Sequence, residues 1–404
     1  MMLCLPYSGS CIAWVRAVLA PAVLLAGLAA ATDVSADSAA EAGGRNLAPR
    51  EVGAQLMARM ALQPGEQVLI IAQPGRWNAL VERLGVEIAA ADADALGVIQ
   101  VGEAPAPAGW STAFTNALAG LSDQERVAAL SGVDIAVMLP GARAHPAYAA
   151  LQEVLRSGQG RTVHFHWEGA YELNGSIKPV DAGVDRLYLD ALLETDYPEL
   201  ASRQREFEAA MRGGETRVTT PSGTDLRFRI GDRPVTRQDG NASAARAQAA
   251  RNLIDREVEL PAGVVRVAPL ETTVNGTIAF PPTVWGGVEV RGLVLTIQSG
   301  RVIDVQADSG REAVLEELDA AGPAGRAFRE FALGLNPKLA IPAQGEPWIP
   351  YYGYGAGVVR LSLGDNTELG GAVGGGYVRW NFFTHATVRT EGDVWVRDGV
   401  LVRP

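Results

Sequence analysis

The chain has 404 residues, a formal net charge of −11, 48% hydrophobic residues and only two cysteines. That length predicts two domains with ample core. The acidic balance, with no basic run interleaved with aromatics, excludes phosphate-backbone binding, so no nucleic-acid partner is expected.

Residues 1–36 read as an export signal. Arg16 precedes an apolar run, Ala17 to Ala31, that is too short to span a bilayer, and small-residue cleavage sites such as Val34-Ser35-Ala36 follow it. Residues 37–50 are expected to be a disordered mature N-terminus. Cys4 and Cys11 both fall inside the signal, so the mature chain has no thiol, disulfide or Cys-ligated metal. No later stretch could span a membrane. The expected product is a soluble bacterial protein, exported to the periplasm or secreted.

Residues 51–214 alternate strand and helix patterns. The apolar runs are 67–72, 96–101, 133–139 and 162–167, with helical segments near 76–92, 111–130, 145–156 and 198–212. Ser122 followed three residues later by Glu125 is a capping-box signature. This alternation predicts a Rossmann-like α/β domain, a parallel sheet with helices on its faces. The first strand runs into AQPGRW, so the dinucleotide fingerprint is missing and no nucleotide is expected. Past Gly213-Gly214 the character changes. Residues 215–404 read as a strand-rich α+β domain with Gly-rich turns, interrupted by helices at 311–320 and 323–333.

The chemistry-bearing residues are few. Of four histidines, His164 and His166 share a strand face, with Glu168 next on it, and such a trio can ligate zinc or iron. The plainer reading is a strand end packed beneath a loop. No Gly-x-Ser-x-Gly, Ser-x-x-Lys or HExxH motif occurs. In GEPWIPYYGYGAG, residues Trp348, Tyr351, Tyr352 and Tyr354 lie among prolines and glycines. They would either stack on a ligand or pack an internal contact. Two apolar strands, GVVRLSLG and YVRWNFF, each carry an arginine and then a small polar residue: Arg360 with Ser362, and Arg379 with Asn381. Pattern alone would turn both arginines to solvent and make Glu330 a helix-surface i,i+4 partner of Arg326.

The order of segments LPAGVVRVAP, VNGTIAF, AGRAFREFALGLNP, GVVRLSLG, YVRWNFF and DGVLV resembles the aminopeptidase T and aminopeptidase S metallopeptidases, over nearly the whole mature chain. The resemblance implies a thermophilic-aminopeptidase-like fold and a homodimer. It also implies five positions that hold a pair of divalent ions. Here they read Val264 for a glutamate, Glu330 retained, Arg360 of Arg360-x-Ser362 for a histidine, and Arg379-x-Asn381 for a His-x-Asp pair. The family's catalytic tyrosine falls near Thr367. Relatives that open dihydroxypyridine rings with one iron need the same His-x-Asp pair.

Guanidiniums offer donors and no lone pair, so they cannot ligate a metal, and they repel a nearby cation. The expectation is therefore a degenerate, metal-free aminopeptidase-like protein with no cofactor. Its arginines would either clamp Glu330 as scaffolding or bind a small anion, such as a peptide or amino-acid carboxylate, or else the protein would serve a protein partner. The alternative is an active metal-dependent aminopeptidase that rebuilds a divalent site at His164, His166 and Glu168.

Overall fold

The computed structural model describes residues 47–402 except residue 166. The expected signal, residues 37–46 and His166 therefore lie outside the described residues. The end of the stretch expected to be disordered, 37–50, is ordered instead, since a helix begins at Pro49.

The first sheet is parallel and five-stranded. Its strands are β1 (Gln67–Ala72), β2 (Asp94–Gln100), β3 (Ile135–Met138), β4 (Arg161–Phe165) and β5 (Glu257–Leu260), in the order β2-β1-β3-β4-β5. Its inner strands carry near-continuous apolar runs such as Val68 to Ala72 and Ile135 to Met138, buried throughout, because helices cover both faces. Helices α1 (Pro49–Met60), α2 (Asn78–Ala90), α3 (Asp123–Leu130), α4 (Pro146–Arg156), α5 (Ala182–Glu194) and α6 (Tyr197–Gly213) precede β5 in sequence. The capping box at the start of α3 is formed: the Ser122 side chain accepts from the Glu125 N–H, and the Glu125 carboxylate accepts from the Ser122 N–H (2.9 Å).

The strand-rich character begins where α6 ends, at Gly213. Yet β5 lies beyond that point and returns to pair with β4, so the parallel sheet is completed by chain from the strand-rich half.

Two antiparallel sheets follow. One has eight strands, in the order Arg301–Gln306, Val294–Gln298, Asn275–Ala279, Asp225–Phe228, Thr216–Thr219, Thr387–Thr390, Asp393–Arg397, Val400–Leu401. The other has six and carries the site. Its central strands are β6 (Val264–Val267), β7 (Phe328–Gly334) and β8 (Val359–Gly364). Strand β9 (Val378–Arg379) and Phe382–Phe383 pair with β8, and Val235–Arg237 pairs with β6.

The helix expected at 311–320 is present as α7 (Arg311–Ala320), but that expected at 323–333 is not. Only Gly322–Gly325 turns helically, and Phe328–Gly334 is strand β7. Every residue of FREFALG is buried, so the strand has no polar face to display a period of two, and Glu330 falls four residues after Arg326, which mimics a helical spacing. Arg326 accordingly pairs with Asp319 (2.7 Å) rather than with Glu330.

The aromatic loop is seated on β7 through a close backbone approach. A Cβ on Gly334 would stand 2.0 Å from the Gly355 carbonyl oxygen and 2.5 Å from that of Gly353. Gly334→Ala should therefore destabilise the fold by about 1–3 kcal/mol through forced backbone displacement, read by chemical denaturation. Wild-type stability in that variant would show the approach to be adjustable.

Candidate functional site

The site is a charged row inside the six-stranded sheet. Arg266 on β6 lies opposite Ala332 on β7, which lies opposite Arg360 on β8. One step along β7, Glu330 lies opposite Ser362. Ala332 leaves room between the two arginines, so both lean diagonally across it onto Glu330, within the reach of long side chains on neighbouring strands. Arg266 Nε stands 3.0 Å and Nη2 2.9 Å from Glu330 Oε2. Arg360 Nε forms an ion pair with Oε1 at 3.0 Å, and the Ser362 hydroxyl donates to the same oxygen (3.1 Å).

Arg329, next to Glu330 where the β7–β8 register shifts, brings its Nε to 4.0 Å from Oε1. Its Nη2 pairs with Glu368, which also takes Arg266 Nη2 at 3.3 Å. Three guanidiniums thus directly face two carboxylates, with Glu259 also acting electrostatically on Arg266.

Burial makes this arrangement consequential. Glu330 is 0% exposed, Arg360 1% and Arg329 2%. Burial alone would raise the Glu330 pKa, but Arg266, Arg360 and Arg329 outweigh it and hold the carboxyl well below the usual carboxylate range. Burial opposes the charge on Arg266, and Glu330 more than restores it, holding its pKa well above the usual value. Among the described residues, Arg360 Nη2 and Arg329 Nε have no hydrogen-bond partner. A buried donor left unpaired is costly, and it leaves capacity for an acceptor.

The four aromatics of the loop are buried beside this cluster. Tyr351 and Tyr352 hold left-handed backbone (φ 37° and 53°), uncommon for such residues, and the Tyr352 carbonyl accepts from Arg360 Nη1 (2.9 Å). The Tyr351 hydroxyl donates to the Leu260 carbonyl (2.8 Å), the Tyr354 hydroxyl donates to Glu259, and Trp348 pairs through its backbone with Glu172. The loop therefore ties the six-stranded sheet to β5 of the parallel one. Trp380 lies over Arg360, with its ring centroid 5.1 Å from the guanidinium carbon.

Of the residues singled out in the sequence, Glu330, Arg360 and Ser362 converge. Val264 is buried opposite Gly334, one step along the same strand from Arg266's row. Arg379 does not join Glu330. It pairs with Glu317 (2.8 Å), donates to the Val284 carbonyl (2.7 Å) and to Asn381 (3.1 Å), and stacks 3.5 Å from the Trp285 ring centroid. Its register explains this. Arg379 lies opposite Leu363, on the alternate positions to Arg360 and Ser362, so the strand that supplies it turns it away. The expected clamp of Glu330 by Arg360 and Arg379 is instead a clamp by Arg266 and Arg360. Thr367 sits in the turn after β8, bonded to Asp365 (2.6 Å).

The described members of the histidine trio, His164 and Glu168, have separate partners. His164 Nε2 lies 3.5 Å from Glu257, while Glu168 pairs with Arg143 (2.7 Å). Among the described residues no group of three His, Cys, Asp or Glu side chains is placed to hold a metal ion.

Arg266, Arg329 and Glu368 were not singled out. A signal for Arg266 was available: GVVRV repeats GVVRL, arginine in the same place on an apolar strand.

A metal pair does not fit the row that the resemblance points to. Its donor set is one carboxylate surrounded by guanidiniums, which supply no lone pair and add positive charge.

Residues 202–341 match the family of thermophilic metalloproteases (M29). No curated protein matches the chain. Solved structures that share the fold include the following two. The 2,5-dihydroxypyridine dioxygenase of Pseudomonas putida KT2440 is 17% identical with a TM-score of 0.58, covering 90% of this chain and 98% of that one. The wild-type AmpT of Thermus thermophilus is 15% identical with a TM-score of 0.53, covering 87% and 99%. The chain thus has the fold of these enzymes, and its M29 segment makes it similar to the aminopeptidase T/S-like family.

Two outcomes test this electrostatic picture. Glu330→Gln, which leaves buried guanidiniums uncompensated, should cost about 3–5 kcal/mol of stability in denaturant. A loss below 1 kcal/mol would mean the cluster is solvated. Glu257 is the opposite case, since burial pushes its carboxyl up to about 8. A raised folded-state pKa gives stability that is complete below the ordinary glutamate value and is lost as pH rises towards about 8. Stability should therefore fall between about pH 5 and 8, and Glu257→Gln should flatten that slope; an unchanged slope would place the titration elsewhere.

Proposed function

We propose that this is an exported, aminopeptidase-T-like protein whose metal centre has been replaced by an arginine–glutamate cluster, and that it binds a small anionic ligand through that cluster. The carboxylate of an amino acid or peptide is the class of ligand the site suits. The observation that carries this reading is Arg360: it is 1% exposed, with Nη2 unpartnered among the described residues, in a cluster with more guanidiniums than directly paired carboxylates. A carboxylate would satisfy that donor, and guanidinium–carboxylate pairing is among the strongest polar contacts available to a protein. Structural scaffolding alone accounts for Arg266, whose charge is met by Glu330 and Glu368. It does not account for an idle buried donor on Arg360.

Export rests on the N-terminal apolar run, and a homodimer on the family resemblance. No described helix is long and apolar enough to cross a membrane.

The test is ligand-induced thermal stabilisation with a panel of amino acids and dipeptides. Wild type should gain several degrees with at least one of them. Arg360→Lys, which keeps the charge against Glu330 but removes the planar fork, should lose that gain while folding normally. A gain that persists in Arg360→Lys, or no gain with any member of the panel, would overturn the reading.

A further inference from the structure

Glu368 differs from the other members of the cluster. It stands in the turn after β8, and its side chain is 33% exposed, where those of Arg266, Arg329, Glu330 and Arg360 are exposed by 4% or less. Its carboxylate nevertheless reaches inward to Arg329 and Arg266.

Its outer side lines a surface pocket of about 420 Å³, together with Thr367, Arg156, Arg251 and Arg256. The acidic partners of this pocket's arginines are exposed. Arg251 pairs with the Asp232 carboxylate at 3.3 Å, where that aspartate is 95% exposed, and donates to its backbone carbonyl (2.7 Å). Arg156 pairs with Glu153, and both side chains are more than half exposed. Arg256 donates to the Gly160 carbonyl (2.9 Å). Exposed pairs of this kind hold weakly and exchange readily with a competing anion.

We infer that Glu368 is an internal stand-in for the ligand: its carboxylate occupies the inner arginines until a small dicarboxylate enters through the Arg156–Arg251–Arg256 pocket and displaces it. One carboxylate of the ligand takes the place of Glu368 on Arg329 and Arg266, and the other stays on Arg256 and Arg251. This inference rests on the reading above only in that the cluster takes a carboxylate. It shifts the contact within the cluster from Arg360 to Arg329 and Arg266, so the Arg360→Lys panel and the Glu368 variants test separate contacts, and it names the entry route and the class of ligand. Two separated cationic sets, with a movable carboxylate between them, suit a molecule with two acidic ends. A monocarboxylate would meet only one set.

An internal competitor lowers apparent affinity by the fraction of time it vacates the site. Removing it should therefore tighten binding. The experiment is calorimetric titration of succinate, glutarate and adipate, with butyrate as the one-ended control, into wild type, Glu368→Gln, Glu368→Ala and Arg256→Ala. Glu368→Gln keeps the size and an acceptor oxygen, which guards against loss of folding.

The expected result is that the best-fitting dicarboxylate binds both Glu368 variants about tenfold tighter than wild type. Arg256→Ala should weaken that binding, and butyrate should bind more weakly throughout. Equal or weaker dicarboxylate binding by both Glu368 variants, with wild-type binding intact, would overturn the stand-in role and leave the anion site standing. Butyrate matching the dicarboxylates would overturn the two-ended ligand. No binding of any of the acids by any variant would overturn this inference, while the amino-acid and dipeptide panel separately decides the anion site.

Discussion

Everything distinctive in this molecule depends on one carboxylate held in a dry sheet. Glu330 is fully buried at the centre of six strands, and its charge survives only because Arg266 and Arg360 lean on it from either side. Removing charges from water costs several kcal/mol per ion, and excellent geometry can return most of that cost. The sheet supplies the geometry. Ala332 occupies the position between the two arginines, where a larger side chain would push them apart. The Ser362 hydroxyl adds a further bond, and the Tyr352 carbonyl holds the outer end of Arg360. Strand register, one small residue and one strained loop together decide that the charges are paired.

The same feature links fold to function. Strands β6, β7 and β8 belong to an architecture shared with a metallopeptidase and a dioxygenase, and the M29 segment covers β6 and β7. On that frame, guanidiniums stand where the resemblance places metal ligands. Of the positions the resemblance points to, Glu330, Arg360 and Ser362 converge, Arg379 turns away to Glu317, and Arg266 joins from a position the resemblance does not name. The aromatic loop then serves as packing: its hydroxyls tie the arginine sheet to β5 of the parallel sheet.

Much of the architecture was legible from residue patterns. The strand–helix alternation, the capping box at Ser122 and the strand-rich second half all rest on local chemistry. Helix 323–333 was misread because a strand buried on both faces carries no alternation, and Arg326 and Glu330 happen to sit four apart. The Arg360–Ser362–Glu330 convergence was reached through the family resemblance, whereas Arg379 was misplaced because spacing along a strand cannot say to which neighbour it is registered. Arg329 and Glu368 were invisible for a related reason, and Arg266 showed only as a repeat of the GVVR pattern with no indication of its partner. Each becomes part of the site only through long-range pairing: Arg266 across 64 positions to Glu330, and Glu368 across 102 to Arg266.

The central claim is that arginines have taken the place of the metals around Glu330. The most direct measurement is a crystal structure grown in zinc or manganese, with diffraction recorded at the absorption edge of the metal. The account predicts Arg266 and Arg360 on the Glu330 carboxylate, with no anomalous peak within ligand distance of it. An anomalous peak ligated by Glu330, with those arginines swung aside, would contradict it.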